Sequence, residues 1–548
     1  MLSAGKRNLE TLYSTTETRE MIHTRRSYGG MCVAPHHLAA EAGRDVLKEG
    51  GNAIEAMVAA AASIAAVYPY MNAIGGDGFW LIHEPGKAPI AIDACGSAAG
   101  KATPGFYAGH DAIPDRGPMA ALTMAGTVDG WREALSVAAT WGGQRPLTRL
   151  LGDAIHQARY GVAVSCSQQA LTARHAATLS ASPGFSETFL RDGEVPREGE
   201  RLRQPRLANT LEHLARAGLD DFYRGELAES MASDLEAMGS PLRRADFAAY
   251  RAEQVTPLEV GLKDATLYNL PAPTQGVASL MILALFERLG VSEADGFDHL
   301  HGLVEATKRA FLLRDRHVTD PGRLAIDLQE LLREASLDRE ASDIDMQRAL
   351  PWPHEPTPGD TIWMGTVDAQ GRAVSFIQSI FWEFGSGVVL PQSGVLWQNR
   401  GISFSLDERH LRALAPGRKP FHTLNPALAR FKDGRTMVYG TMGGEGQPQT
   451  QAAVYSRYAL FGASLQEAIS APRWLLGRTW GETSTSLKLE SRVPAPVVDS
   501  LRSAGHDVEV LGEAYSDTMG HAGGIVHHPE GLIEGAHDPR SDGGAAGC

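Results

Sequence analysis

Apolar residues recur at helical spacing in two blocks early in the chain, Ala39 to Leu47 and Ala53 to Val67, broken by Gly50-Gly51-Asn52. The second block is alanine-rich and predicts a buried helix that lets a sheet approach closely. Gly78 to Ile82 and Pro89 to Asp93 predict a hairpin around Glu84-Pro85-Gly86. Roughly residues 145 to 350 keep a 3.6-residue apolar period and predict a mostly helical section, clearest at Leu207 to Ala217, Phe222 to Met238 and Phe297 to Leu313. From Pro351 to Asp360 the pattern stops. Four prolines in eight residues fit neither helix nor central strand, so this stretch predicts an exposed connector. Thr361 to Asp368 and Arg372 to Ile380 then read as strands joined by Asp368-Ala369-Gln370-Gly371, a hairpin signal. Gly387 to Leu390, Gly394 to Trp397, Thr436 to Tyr439 and Gly524 to His527 continue the strand pattern, while Gln449 to Phe461 and Ala495 to Ala504 predict helices. Strands and helices in mixed order, with antiparallel hairpins, predict α+β layers around a sheet core.

Composition narrows the partners. A formal charge of −14 argues against a polyanionic ligand, so nucleic acid is excluded. The four cysteines lie far apart without C-x-x-C spacing, which supports neither a disulfide framework nor a zinc site. Residues 1–30 are polar, lack the apolar core of a secretory signal, and predict an N-terminal arm. The apolar block Ala53 to Val67 is too short to span a bilayer, so no membrane partner is expected and the cytoplasm is the expected location.

The junction Gly359-Asp360-Thr361 carries the candidate chemistry. A threonine here is placed to attack the preceding carbonyl, pass through an ester and become a new N-terminus. Its freed α-amine, with an ordinary pKa near 8, then serves as general base for its own hydroxyl. By pattern alone the signal is weak, because a threonine at the start of a strand is usually just a strand residue.

Thr361-Ile362-Trp363-Met364-Gly365-Thr366-Val367-Asp368, with Gly371, Ala373-Val374-Ser375 and Phe384-Gly385-Ser386-Gly387, resembles the start of the small subunit of the γ-glutamyltransferases. Further blocks follow in the same order: Gly50 to Ala53, Ile74-Gly75-Gly76-Asp77-Gly78-Phe79, Lys101 to Thr103, Gly126 to Val128 with Gly130, and Pro271 to Thr274 with Gly276. Asn425-Pro426, Gly440 to Gly444, Ala471 to Arg473 and Asp538-Pro539-Arg540-Ser541 complete the series. The resemblance implies a four-layer αββα sandwich of the N-terminal-nucleophile hydrolase type. It also implies cleavage between Asp360 and Thr361 into a large subunit, 31–360 after the arm, and a small subunit, 361–548, which together form a heterodimer sharing one αββα unit. Thr361 matches the nucleophile, Ser379 a second hydroxyl beside it, and Gly443 and Gly444 the pair whose N–H groups form the oxyanion hole. A simple strand-to-helix turn is the other reading of those glycines. His422 and Thr423 fall where the family has substrate-contacting serines. For His422 a hydrogen-bond role with a charge change near neutrality and a plain wall role both stay open.

The departures from the family bear on substrate. By position, Cys95 replaces the arginine that holds the glutamate α-carboxylate, Phe381 and Ser403 replace the groups that engage its α-amine, and Arg400 replaces a glutamine. A buried ammonium without acceptors is costly, so a γ-glutamyl donor is disfavoured. Arg400 offers a fork for one carboxylate, beside aromatic surface expected from Phe381, Trp363 and Trp397. This pattern resembles the oxamate amidohydrolase branch of the family, which implies a small carboxylate-bearing amide as substrate, oxalate and ammonia as products, and a place in purine (allantoin) nitrogen catabolism. The competing readings are a genuine γ-glutamyltransferase or glutathione hydrolase, an acylase for larger amides, and an uncleaved homologue that only binds. Gly75 to Gly78 and Gly100 to Ala102 lack the register of nucleotide loops, and His36-His37 and His527-His528 lack metal-ligand spacing. No cofactor or metal is implied.

Overall fold

The computed structural model describes residues 22–352, 360–477 and 485–548. Residues 1–21 of the expected arm and 353–359 of the expected connector lie outside the described residues. Two seven-stranded sheets form the centre, and every strand pairing within them is antiparallel. Sheet I runs, in spatial order, Gly544–Gly547, Gly30–Ala34, Asp360–Asp368, Ala373–Phe381, Asp77–His83, Ile90–Ala94 and Glu253–Val255. Sheet II runs Arg25–Ser27, Ile533–His537, Ala522–His527, Thr436–Thr441, Ala427–Phe431, Ala265–Asn269 and Leu258–Gly261. Each sheet draws strands from both sides of residue 361.

Three apolar cores separate four layers. Alternation along the strands sends Trp80, Ile82, Met364 and Phe376 to one face of sheet I, against the helix Ala53–Val67. The opposite face carries Phe79, Leu81, Trp363 and Ile377, which meet Leu428, Val438 and Ile525 of sheet II. The outer face of sheet II packs Leu267, Ala429 and Met437 against the helices Gly276–Arg288 and Gly446–Tyr455. Helix, sheet, sheet, helix is the expected α+β sandwich. Trp363 shows how tightly the sheets meet: a Cβ on Gly440 would lie 2.2 Å from its ring, and one on Gly523 2.5 Å away.

The helix Ala53–Val67 has the expected bounds, and all fifteen of its residues are buried. Asn52 caps it, accepting from the N–H groups of Ile54 and Glu55, while Glu55 accepts from Asn52 N–H at 2.8 Å. Asp368, at the far end of the Thr361 strand, accepts from Ala53 N–H (3.1 Å) and from Arg372 Nε (2.6 Å). The Val367-Asp368 block is thus an anchor between strand and helix, an anion at a helix N-terminus.

Several expectations shift. Arg25–Ser27, within the expected arm, is an edge strand of sheet II paired with Ile533–Gly535. The long helix expected over Phe222 to Met238 is broken at Gly225 into Asp221–Arg224 and Glu226–Met238. The helix-dominated middle also contains the three strands between Glu253 and Asn269. Gly387 to Leu390 and Gly394 to Trp397 form no strand and share a single bridge, Val389 to Leu396. Gly385, Gly387 and Gly394 all take positive φ there, which bends the chain out of any extended ladder.

The Asp538 to Ser541 block is a buried ionic clamp. Asp538 pairs with Arg473 and with Arg540 Nη1 (3.0 Å) and accepts from Ala522 N–H (2.6 Å); Arg540 Nη2 reaches Glu490 at 2.6 Å. The two guanidinium groups hold the Asp538 carboxyl well below the ordinary carboxylate range despite its burial. A depressed native pKa contributes stability above the unfolded value, about 3.9, and that contribution is lost as pH falls through the native pKa. Asp538→Asn should therefore cost about 3–5 kcal/mol at pH 7 by leaving buried arginines without their partner. In thermal unfolding its deficit should shrink as pH falls below about 4; a pH-independent deficit would contradict this role.

Candidate active site

Thr361 sits where the hairpin register breaks. Asp360 pairs with Phe381 and Ile362 with Gln378, so Ser379 and Ile380 together oppose Thr361 in a bulge. Thr361 shares a strand face with Trp363 and so belongs to the cleft between the sheets. Its hydroxyl donates to Ser379 Oγ and accepts from Gln447 Nε2, both at 3.4 Å. Ser379 Oγ also accepts from Phe381 N–H at 2.8 Å. Phe381 has φ +83°, a strained conformation for an aromatic residue that this bond helps to hold. The chain is continuous through Asp360 and Thr361, so this is the geometry of the uncleaved form, and the Thr361 nitrogen is still an amide.

Gly443 and Gly444 occupy the turn between the strand Thr436–Thr441 and the helix Gly446–Tyr455, with φ of +114° and +53° that favour glycine. The Gly443 carbonyl accepts from Gly446 N–H (2.7 Å) and the Gly444 carbonyl from Gln447 N–H (3.3 Å). Gln275 Nε2 donates to the carbonyls of Gly444 (2.9 Å) and Thr423 (2.6 Å). Arg314, wholly buried, donates to Gln275 Oε1 (2.9 Å) and to Glu445 (2.8 Å). A buried network therefore fixes the turn and ties it to the Thr423 backbone.

Arg400 opens the short turn Arg400–Ser403 and is 1% exposed. Its guanidinium lies 3.8 Å from the centre of the Phe381 ring, and Nη1 reaches Thr423 Oγ1 at 3.5 Å. Nε and Nη2 have no hydrogen-bond partner. Burial lowers its pKa to about 9, and Asp77 and Cys95 oppose that shift, so Arg400 stays a cation at neutral pH. His422 is fully buried, edge-on to Phe79. Burial, with Arg400 and Lys419 nearby, pushes its pKa well below the ordinary range, so its charge does not change near neutrality as the sequence suggested. Trp363 and Trp397 belong to cores: Trp363 Nε1 donates to Ser375 Oγ (2.9 Å), and Trp397 packs on Phe247 and donates to the Thr123 carbonyl. Of the three expected aromatics, Phe381 is the one in contact with the guanidinium.

Two residues here escaped sequence reasoning. Gln447 follows the glycine pair and touches the Thr361 hydroxyl; its place just after the Gly440 to Gly444 block was the available signal. Asp77 is the other, a lone acid among glycines. It lies directly opposite Ser379 in the next strand, and its Oδ1 accepts from Gly96 N–H (3.0 Å), Gly126 N–H (3.1 Å) and Gln398 Nε2 (3.1 Å). Its Oδ2 lies 3.1 Å from His422 Nε2, out of line for a hydrogen bond, so that oxygen and both imidazole nitrogens remain without partners. Burial raises its pKa to about 7, against the pull of those N–H groups and of Arg400.

Among the described residues one set resembles a metal site: His301, Glu305 and His506. The two rings hydrogen-bond at 2.8 Å, and Lys308 Nζ already neutralises Glu305 at 2.7 Å. Lys308 also donates to the Leu350 carbonyl, and Glu305 accepts from Leu350 N–H. The cluster grips the chain just ahead of residues 353–359 and offers a cation no open position.

Two stacked antiparallel sheets between helices, with a strand-opening threonine in the cleft between them, define the N-terminal-nucleophile hydrolase class. The chain belongs to the γ-glutamyltranspeptidase family, whose model, described as Gamma-glutamyltranspeptidase, matches residues 39–548, and it is an amidohydrolase of that family. It is 58% identical over 519 residues to the oxamate amidohydrolase proenzyme of Klebsiella pneumoniae subsp. pneumoniae, covering 94% of this chain and 98% of that one. It is 40% identical over 520 residues to a glutathione hydrolase-like proenzyme of Bacillus subtilis, covering 94% and 98%. The solved cephalosporin acylase of Bacillus halodurans superposes with a TM-score of 0.88 at 30% identity, covering 97% and 98%. No described helix is long and apolar enough to cross a membrane.

The network behind the glycine turn makes a testable claim. Gln275→Leu takes one of two donors from the Gly444 carbonyl and leaves the Thr423 carbonyl without its donor and Arg314 Nη1 without its acceptor, at about 1–3 kcal/mol for each unsatisfied group, and loosens the Gly443–Gly444 turn. Amide hydrolysis should lose roughly ten- to hundredfold in kcat, with KM within about threefold, as for an impaired oxyanion site. An unchanged kcat would show that the turn holds without the network.

Proposed function

We propose that the chain cleaves itself between Asp360 and Thr361 and then, as a heterodimer of the two products, hydrolyses oxamate to oxalate and ammonia. The observation that carries this reading is Arg400: a buried cation stacked on Phe381, whose Nε and Nη2 find no hydrogen-bond partner among the described residues. A substrate carboxylate accepts from that fork. Burial raises the Cys95 thiol pKa well above the ordinary value, so a neutral thiol stands where the resemblance places the family's arginine. The enclosed site suits a small amide better than a bulky acyl group, and the 58% identical relative bears the name oxamate amidohydrolase.

In the precursor, Thr361 Oγ attacks the Asp360 carbonyl carbon. The C–N bond breaks as the ester forms, the hydroxyl proton passing to the departing nitrogen and leaving Thr361 with a free α-amine; water then hydrolyses the ester to release Thr361 Oγ and the Asp360 carboxylate. In turnover that amine takes the hydroxyl proton as Oγ attacks the amide carbon of oxamate. The N–H groups of Gly443 and Gly444 stabilise the resulting oxyanion, while Ser379 and Gln447 aim the hydroxyl. The α-ammonium returns its proton to the leaving nitrogen, ammonia departs, and water then releases oxalate from Thr361. Thr423 steadies Arg400, and His422 lines the site as a neutral ring. The reaction fits purine (allantoin) nitrogen breakdown in the cytoplasm.

Ammonia release from oxamate tests the assignment. Thr361→Ala should give one uncleaved chain without activity. Arg400→Met should still cleave itself yet lose at least about a hundredfold in kcat/KM for oxamate, since a charged hydrogen-bonding partner is removed from a buried site. Full oxamate turnover by Arg400→Met would remove the carboxylate assignment.

A further inference from the structure

Asp77 is a buried carboxylate that uses only half of its acceptor capacity. Oδ1 takes three N–H groups and by itself accounts for the residue's fit to the surrounding backbone. Oδ2 takes none, although it is buried, and it faces His422, whose two ring nitrogens are also without partners. Such groups normally find partners. The unsatisfied atoms of Arg400, Asp77 and His422 therefore mark a polar recess waiting for a ligand that carries both acceptors and donors.

Register fixes where that recess lies relative to the nucleophile. Ser379 opposes Thr361 on one side and Asp77 on the other, in three successive strands of sheet I. Strand spacing puts the Thr361 and Asp77 backbones about 10 Å apart, with Ser379 on the strand between them. No ion pair joins Asp77 to Arg400 among the described residues, so the acid is not simply the arginine's counter-ion.

We propose that Asp77 Oδ2, with the unprotonated nitrogen of His422, accepts the two N–H groups of the leaving amide nitrogen while Arg400 holds the neighbouring carboxylate, so that the site selects unsubstituted primary amides. A neutral imidazole offers one acceptor, Asp77 Oδ2 a second, and a primary amide nitrogen presents two donors. This rests on the oxamate reading and adds what recognises the group that leaves. Asp77 is a specificity residue here, and the proton that ammonia needs still comes from the Thr361 amine.

The test compares oxamate with monomethyl oxalate, whose leaving oxygen carries no N–H, in the self-cleaved full chain. Asp77→Asn keeps an Oδ1 acceptor and presents a donor in place of Oδ2. It should lower kcat/KM for oxamate at least about thirtyfold more than for monomethyl oxalate, as expected when a site built for a hydrogen bond loses it. Equal losses on both substrates, or no loss on oxamate, would overturn the proposal. The wild-type enzyme supplies a second reading that needs no variant: N-methyloxamate should be turned over at least about a hundredfold less efficiently than oxamate, and parity would overturn it. Wild-type enzyme that hydrolyses monomethyl oxalate but not oxamate defeats this inference and leaves Thr361 and Arg400 in place; hydrolysis of neither defeats both. Turnover of a γ-glutamyl anilide that Asp77→Asn abolishes would put an α-ammonium on Asp77 instead, and would likewise overturn it.

Discussion

In an unbroken antiparallel register each residue of Asp360–Asp368 would face one residue of Ala373–Phe381. The bulge instead sets Ser379 and Ile380 against Thr361 alone. From that one irregularity follow the contact of the two hydroxyls, the positive φ of Phe381 and the placing of its ring beneath Arg400. The placing of Thr361, of the Ser379 hydroxyl beside it and of the ring under Arg400 thus follows from a single strand pairing, held by neighbouring strands and by the Asp368 anchor at its far end. Catalytic geometry built on paired strands is more precise than geometry built on loops.

The site is also where the fold tolerates its least favourable electrostatics. Elsewhere the buried charges are matched: Arg473 and Arg540 with Asp538 and Glu490, Arg314 with Glu445, Lys308 with Glu305. In the cleft the opposite holds, with Arg400 and Asp77 buried, incompletely hydrogen-bonded and shifted toward their neutral forms. Shifts of this kind cluster at functional sites because burial disfavours charge until a ligand compensates for it.

Much of this was legible from residues alone. The helix Ala53–Val67 and the hairpin through residues 360–381 carry strong local signals, and the glycine pair after Thr441 stood in a recognisable block. The chemistry of Asp77 was not legible, because a lone acid among glycines resembles a turn; only the register that sets it opposite Ser379 shows where it points. The strands between Glu253 and Asn269 were hidden by the helices on either side, and their pairing is long-range. Trp363 and Trp397 were read as pocket surface because aromatic residues near a site suggest a wall, whereas glycines on the facing sheet make a core slot for Trp363. For His422 the two open readings could not be separated from residues alone, because burial depth, which holds its pKa well below the ordinary range, cannot be seen in a sequence.

The most direct measurement is N-terminal sequencing, with intact mass, of the purified protein. The account predicts two chains, the smaller opening Thr361-Ile362-Trp363-Met364. A single unbroken polypeptide, or a smaller chain that begins at any other residue, would contradict it.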